Sequence, residues 1–426
     1  MACRQAGKPV QLPASSLVTC ISCMLSRREI FQLRASHIKL RTLIVQHAST
    51  QKPLDMGQSG GGNAVACCTL LLLLLGAAAV QTAQAQVVPA LFVFGDSLVD
   101  DGNNNALASA LAKANYFPYG LDFLGGAPTG RFCNGKTVVD ALCDLLGLEY
   151  LPPYTSTGQD VSPSLLGGVN YASAAGGILD ETGQHLGERF SLSQQVLNLE
   201  TSLDAIRSQL SYPSSSYEQF LARSIAVMVV GSNDYINNYL LTSLYDSAAK
   251  YNPQDFATLL ITHYTRQILA LYSLGLRKFL LAGVGPLGCI PCLRALSGQG
   301  QCAEQVNQMV GFFNQGLRSL VDQLNADHPD AAFTVGNTFD AVQDMIRSPG
   351  SYGFTTVDSG CCGLGRNRGQ ILCLPLMQPC DARDQYLFWD AYHPTQATNI
   401  LLAQAAFNGT QDRVYPFNLQ QLVNKP

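Results

Sequence analysis

Four short apolar runs, each too brief for a helix and separated by segments of helical periodicity, set the strongest limit on what this chain can become. Ala90-Leu-Phe-Val-Phe94, Ile225-Ala-Val-Met-Val-Val230, Lys278-Phe-Leu-Leu-Ala282 and Ala331-Ala-Phe-Thr-Val335 lack the polar alternation of a half-exposed strand. They read as strands covered on both faces. Thr137 to Leu146 offers a cap-competent threonine, an acid three residues on and a closing Gly147, and so predicts a short helix. Ser191 to Leu210 aligns Leu192, Val196, Leu199, Leu203, Ile206 and Leu210 on one stripe. Asn252-Pro253 opens a helix that runs through Tyr272 and is closed by Gly275. Cys302 to Leu324 and Thr395 to Phe407 complete the helical set. Strands alternating with helices of this length predict an α/β fold on a parallel sheet with helices on both faces. Neither a repeat nor a linker divides residues 86–426, which are read as one domain.

The composition, 47% apolar and 13% charged, is that of a globular chain. Its charge of −4 is unevenly spread: residues 1–55 hold eight Lys/Arg against Glu29 and Asp55, a net of +6, which leaves −10 on the remainder. An acidic body excludes nucleic acid as a partner, because phosphate binding needs a clustered basic surface. Residues 64–80 form an apolar core around Leu70 to Leu75, followed by Ala83-Gln84-Ala85, a small-x-small cleavage pattern. Residues 56–85 are therefore expected to be a secretory signal peptide beginning at Met56, with a retained anchor as the alternative. Residues 1–55 are read as an upstream extension, and a transit-like role for them is the weaker reading. Nine cysteines follow the cleavage pattern: Cys133, Cys143, Cys289, Cys292, Cys302, Cys361, Cys362, Cys373 and Cys380. In a secreted chain they imply several disulfides and at least one thiol left over. The sequon Asn408-Gly409-Thr410 marks Asn408 as a glycan acceptor on the same route.

Three motifs fail on context. Gly57-Gln-Ser59-Gly-Gly61 has no strand leading into it, so it is not a nucleophile elbow. Gly283-Val-Gly285-Pro-Leu-Gly288 follows a strand, but Pro286 and Pro291 deny the helix start that a pyrophosphate requires. Cys289-Ile-Pro-Cys292 lacks a matching second pair for zinc, which favours structural disulfides. What survives is Ser97, at the Gly95-Asp96-Ser97 turn ending the first strand, together with Asp390 and His393 in Trp389-Asp-Ala-Tyr-His393-Pro394. A serine hydroxyl needs an adjacent base, and a histidine base needs an acceptor on its other nitrogen. Either island alone reads equally as a turn, or as the start of the last helix. Of the six histidines, His37 and His47 precede the signal, and His185, His263 and His328 lie in polar or helical stretches without an acid partner at useful local spacing. Asn233, in Gly231-Ser-Asn-Asp234 after the second strand, offers an amide to an oxyanion, and Gly176-Gly177 offers backbone N–H groups.

Taken in order, these islands resemble the GDSL esterases and lipases, or SGNH hydrolases, in their plant secreted form, from about Ala90 to Gln421. Phe92-Val-Phe-Gly-Asp-Ser97-Leu-Val-Asp100 is similar to the first block, Gly177 or Gly176 to the second, Asn233 to the third, and Asp390 with His393 to the last. Gly285-Pro-Leu-Gly-Cys289 and Cys361-Cys-Gly363 are similar to further plant segments. Asp101 stands where asparagine is usual, and Cys133 and Cys292 where cysteine is not. The resemblance implies a flavodoxin-like three-layer α/β/α sandwich and hydrolysis of carboxylic esters. Ser97 would be the nucleophile, His393 the base and Asp390 its orienting acid, with Ser97 N–H, Gly177 and Asn233 as oxyanion donors. No metal or organic cofactor is required. The expected partner is a small-molecule, lipid or polysaccharide ester, met by a monomer outside the cell, in the cell wall or apoplast. Acyl transfer and carbohydrate acetyl-ester hydrolysis are the alternatives on the same scaffold.

Overall fold

The four apolar runs form the centre of one sheet in the computed structural model, which describes residues 88–157, 164–210, 214–297 and 299–425. The expected extension and signal peptide lie outside the described residues. In chain order the strands are β1 (Leu91–Gly95), β2 (Gly168–Asn170), β3 (Ile225–Val229), β4 (Lys278–Ala282), β5 (Ala332–Gly336), β6 (Thr356–Gly360), β7 (Tyr386–Phe388) and β8 (Val414–Tyr415). The main sheet runs β2-β1-β3-β4-β5-β8, with β1 to β5 parallel and β8 antiparallel at the edge. This is the doubly wound order of flavodoxin-like folds, in which the winding reverses between β1 and β3. The sequence does not predict β2 or β8. Each is three residues or fewer, too short for a periodic signal.

Side chains alternate across the strands, and each face meets its own helical layer. Phe92, Phe94, Met228, Phe279, Leu281 and Phe333 pack against α2 (Leu192–Leu210), α3 (Ser214–Arg223), α4 (Pro253–Ser273) and α5 (Glu304–Asp327). Leu91, Val93, Ile225, Val227 and Leu280 pack against α1 (Val138–Leu146), α7 (Gln396–Asn408) and the closing α8 (Leu419–Val423). The three-layer α/β/α sandwich is thus built as expected. At about 1.5–3 kcal/mol for each large apolar side chain buried, these two layers supply the main drive to fold. Lys278 begins β4 in the interior. Its ammonium donates to the Val423 carbonyl (2.9 Å) and the Lys425 carbonyl (2.6 Å), so a buried cation pins the chain's last turn to the sheet.

The helix starts follow their caps. Thr137 and Asp140 form the reciprocal capping box, Gly147 turns left-handed at φ 70°, and the Asn252 side chain accepts from Gln254 N and Asp255 N. Two local details depart from the simplest pattern. Asp100-Asp-Gly-Asn-Asn-Asn105 has the composition of a loop, yet Asn103–Ala106 forms a helical turn, because the Asp100 carboxylate accepts the N–H groups of Gly102 and Asn103. The α2 stripe is also broader than its leucines: Gln195, Asn198 and Ser202 are buried beside them. A second, two-stranded sheet, β6 with β7, flanks α6 (Thr338–Arg347). Three disulfides form, Cys289–Cys302, Cys361–Cys380 and Cys362–Cys373, leaving Cys133, Cys143 and Cys292 as thiols among the described residues. Burial pushes the Cys133 thiol up to about 12, far from a reactive thiolate.

Candidate active site

The first strand delivers Ser97 to the crevice between β1 and β3. Gly95 pairs with Val229, and Ser97 follows two residues later, just past the carboxyl end of the sheet. A Cβ on Gly95 would lie 2.4 Å from the Val229 carbonyl oxygen, so only glycine allows β1 to approach β3 this closely. Gln195 then clamps the strand end. Its Oε1 accepts from Gly95 N and its Nε2 donates to the Gly95 carbonyl, both at 2.8 Å. Sequence periodicity places Gln195 on the leucine-bearing face of α2 but gives no sign of this reach across 100 residues.

The second island closes on the first. After β7 the chain folds back so that Trp389 N donates to the His393 carbonyl (2.7 Å) and Thr395 N to the Leu387 carbonyl (3.0 Å). Asp390 and His393 therefore share one tight loop whose next residues cap α7. The His393 Nδ1 lies 2.9 Å from each Asp390 carboxylate oxygen, and its Nε2 lies 2.8 Å from Ser97 Oγ. Asp390 Oδ1 also accepts the N–H of Tyr392 and of His393, and Oδ2 accepts from Tyr119 Oη at 2.6 Å. Burial alone would raise this acid. The His393 charge and these hydrogen bonds outweigh it and hold the carboxyl below the usual carboxylate range. Tyr119 carries no local signal in the sequence, since 271 residues separate it from Asp390. Phe132 packs its ring 5.1 Å from the imidazole and forms the wall behind it.

Asn233 emerges from β3 in a short turn, Ser232–Asp234, that continues as a π-helix over Tyr235–Tyr239. Such turns widen the backbone and recur at functional sites. Its Nδ2 donates to the Gly176 carbonyl (3.0 Å), and its Oδ1 accepts from Asn237 Nδ2 (2.7 Å), which fixes the amide's orientation and leaves its second N–H for the cavity. In the glycine pair, Gly176 N donates to the Ser173 carbonyl (3.0 Å), and a Cβ on Gly177 would meet Thr182 and Asp234. Ala175, held at φ 65°, is the residue of this segment that lines the cavity with Ser97 and Asn233. The next acid, Asp234, accepts from Ile178 N, Leu179 N and Thr182 Oγ1, tying the asparagine turn to the glycine turn.

Three buried carboxyls surround this frame. Burial pushes Asp96 up to about 7 and Asp100 and Asp234 up to about 6, against the pull of the N–H groups that each accepts. Asp96 Oδ2 is buried without a protein partner, which suits a protonated acid. In the folded chain these groups keep protons that the unfolded chain has already released above its ordinary value of 3.8, so the folded state binds more protons and stability falls as pH rises from about 4 to about 7. The ceiling on this slope is about 1.4 kcal/mol per pH unit for each group. Asp390 and Asp122 lie on the other side of their ordinary values and act at more acidic pH. Calorimetry is expected to find a higher Tm near pH 5 than near pH 8, with Asp96→Asn flattening the slope. A Tm that climbs through this interval would contradict the assignment.

These groups open on a cavity of about 580 Å³ whose walls include Ile236, Leu240, Leu287, Ile290, Leu293 and Val342. A polar end carrying Ser97, Asn233 and His393 therefore faces a mostly aliphatic pocket, the arrangement of a site that grips an apolar chain beside a reacting polar group. Among the described residues, no helix is long and apolar enough to cross a membrane.

Comparison with known proteins adds an independent line. The family model for GDSL-like lipase/acylhydrolases matches residues 91–406. GDSL esterase/lipase At1g71250 of Arabidopsis thaliana is 54% identical over 347 residues, covering 80% of this chain and 90% of the relative. GDSL esterase/lipase At5g08460 of the same plant is 54% identical over 339 residues, covering 78% and 87%. GDSL esterase/lipase At1g71691 is 50% identical over 339 residues, covering 79% and 86%. With the match running from β1 through β7 and holding both islands near its ends, the chain belongs to the GDSL-like lipase/acylhydrolase family.

Proposed function

We propose that the protein is a secreted serine hydrolase of carboxylic esters, with Ser97 as nucleophile, His393 as base and then acid, and Asp390 as the group that fixes the imidazole. Ester hydrolysis as the reaction class follows from the family. The observation that carries the residue assignment is the unbroken line of hydrogen bonds from Asp390 through His393 to Ser97, ending at an apolar cavity.

In this reading Ser97 Oγ attacks the ester carbonyl carbon while His393 Nε2 takes its proton. The negative charge that develops on the carbonyl oxygen is met by Ser97 N–H and by the free N–H of Asn233, with Gly177 N–H as the third donor, since Gly176 N is already given to the Ser173 carbonyl. The carbon–oxygen bond to the alcohol breaks, and His393 returns the proton to the leaving oxygen. Water then enters, loses a proton to His393 and cleaves the acyl-serine. The aliphatic walls favour an acyl chain over the acetyl groups of carbohydrates, so a lipid-like ester is the preferred substrate. Three disulfides and the exposed Asn408 at the end of α7 support the secretory route.

An alkyl fluorophosphonate tests the assignment directly. It is expected to add one adduct per chain, mapped to Ser97. A modified serine elsewhere, or no adduct, would remove Ser97 from its role. Asn233→Ala is expected to lower kcat by about 10²–10³, the usual cost of one oxyanion donor. Turnover within a fewfold of wild type would exclude Asn233 from the oxyanion site.

A further inference from the structure

The segment between Cys361 and Cys380 spends apolar surface in a way the reaction itself does not need. Leu364, Ile371, Leu372, Leu374 and Leu376 are all exposed, Leu376 at 80%. Single exposed leucines are ordinary, but five on one segment make a patch. The patch is also held rigidly. Cys361–Cys380 closes the loop, Cys362–Cys373 crosses it, Tyr116 Oη donates to the Cys373 carbonyl (2.9 Å), and Leu376 N donates to the Phe117 carbonyl (3.0 Å). Leu376 sits at φ 65°, a conformation that costs a side-chain-bearing residue of order 1 kcal/mol and here holds its side chain in water.

Position and charge say what covers this patch. Leu372 lines the cavity that contains Ser97, as do Leu111 and Leu296 from two other segments, exposed at 72% and 76%. The exposed apolar surface is thus continuous with the mouth of the site. Within residues 361–380 the only charged side chains are Arg366 and Arg368, both exposed, a local +2 on a body of net −10. A basic, leucine-rich lip on an acidic protein matches the two requirements of interfacial binding, apolar insertion and attraction to anionic headgroups. We infer that the disulfide-tied loop from Cys361 to Cys380 docks the protein on an anionic lipid surface and sets the cavity mouth against it. The inference rests on the reading of the site as one for lipid-like esters, and it adds where that substrate is met.

The test uses purified Ser97→Ala protein, which leaves the lipid intact, and vesicles of phosphatidylcholine and phosphatidylglycerol in equal parts. Co-sedimentation is expected to be strong, weaker on phosphatidylcholine alone and weaker in high salt. Adding Leu374→Ser and Leu376→Asn is expected to reduce binding on the order of tenfold or more, from the apolar area withdrawn. Asparagine suits the φ of Leu376, and neither leucine lines the cavity. With Ser97 restored, the same double variant is expected to hydrolyse a soluble short-chain p-nitrophenyl ester at the wild-type rate, which also reports the fold. Leu364→Ser with Leu374→Ser leaves the Leu376 backbone untouched and is expected to act alike. Equal vesicle binding by the variants would overturn the inference, and so would absence of binding by Ser97→Ala. A lipid-free dimer abolished by the same substitutions would assign the patch to a second copy and overturn it too. Vesicle binding without any Ser97-dependent ester hydrolysis would leave docking standing and sink the hydrolase reading instead.

Discussion

Ser97→Ala is expected to lower kcat on a p-nitrophenyl ester by about 10⁶ while leaving the fold and the apolar cavity intact. Alanine removes only the hydroxyl, which is half-buried and bonded to His393, so the one partner lost is the donor to the Nε2 acceptor of the ring. The oxyanion donors and the binding surface remain, and they sustain a residual rate of about 10³ over water. Steady-state kinetics on the purified variant, with Tm as the control for folding, separates these contributions. Activity within tenfold of wild type would mean that another group carries the chemistry, and the line from Asp390 to Ser97 would be structural only.

Asp390→Asn is expected to cost about 10⁴ in kcat with KM little changed. The amide can still accept from Tyr392 N and His393 N through its oxygen, so the loop keeps its shape. Its nitrogen then faces either His393 Nδ1 or Tyr119 Oη. Facing the ring, it donates to Nδ1 and forces the proton onto Nε2, which can no longer accept from Ser97. Facing the tyrosine, it donates to Oη, and the Tyr119 proton loses its buried acceptor. Either outcome removes the negative charge that stabilises the imidazolium as it forms. An unchanged kcat would show that His393 needs no carboxylate. A raised KM with unchanged kcat would place Asp390 in binding instead.

Much of this site is legible before any coordinates. The continuous apolar character of Ile225 to Val230 marks a strand covered on both faces, because a parallel strand hides both sides from water. Thr137, Asp140 and Gly147 state where a helix begins and ends, because capping is local hydrogen-bond chemistry. Asp390 and His393 are separated by one loop, so their pairing is also local. Tyr119, Gln195 and Asn237 leave no such trace. Their hydrogen bonds to Asp390, Gly95 and Asn233 depend on where a loop, a helix face and a π-turn end up, and nothing local to those positions names the partner. The glycine pair is the mixed case. Gly176-Gly177 announces a turn too tight for a side chain, yet it is Ala175 beside it that lines the cavity.

What the sequence by itself determined is the alternation of strand and helix, the helix caps, and the residue types that acyl chemistry needs, since each depends on interactions within a few residues. Only the tertiary structure decided that β1 and β3 lie side by side, that a serine and a histidine 296 residues apart come within 2.8 Å, and that exposed leucines gather at the mouth of the same cavity. The physical reason is that such juxtapositions are fixed by the packing of two helical layers on a twisted sheet. That packing is a sum over many weak contacts, which no single stretch of chain records.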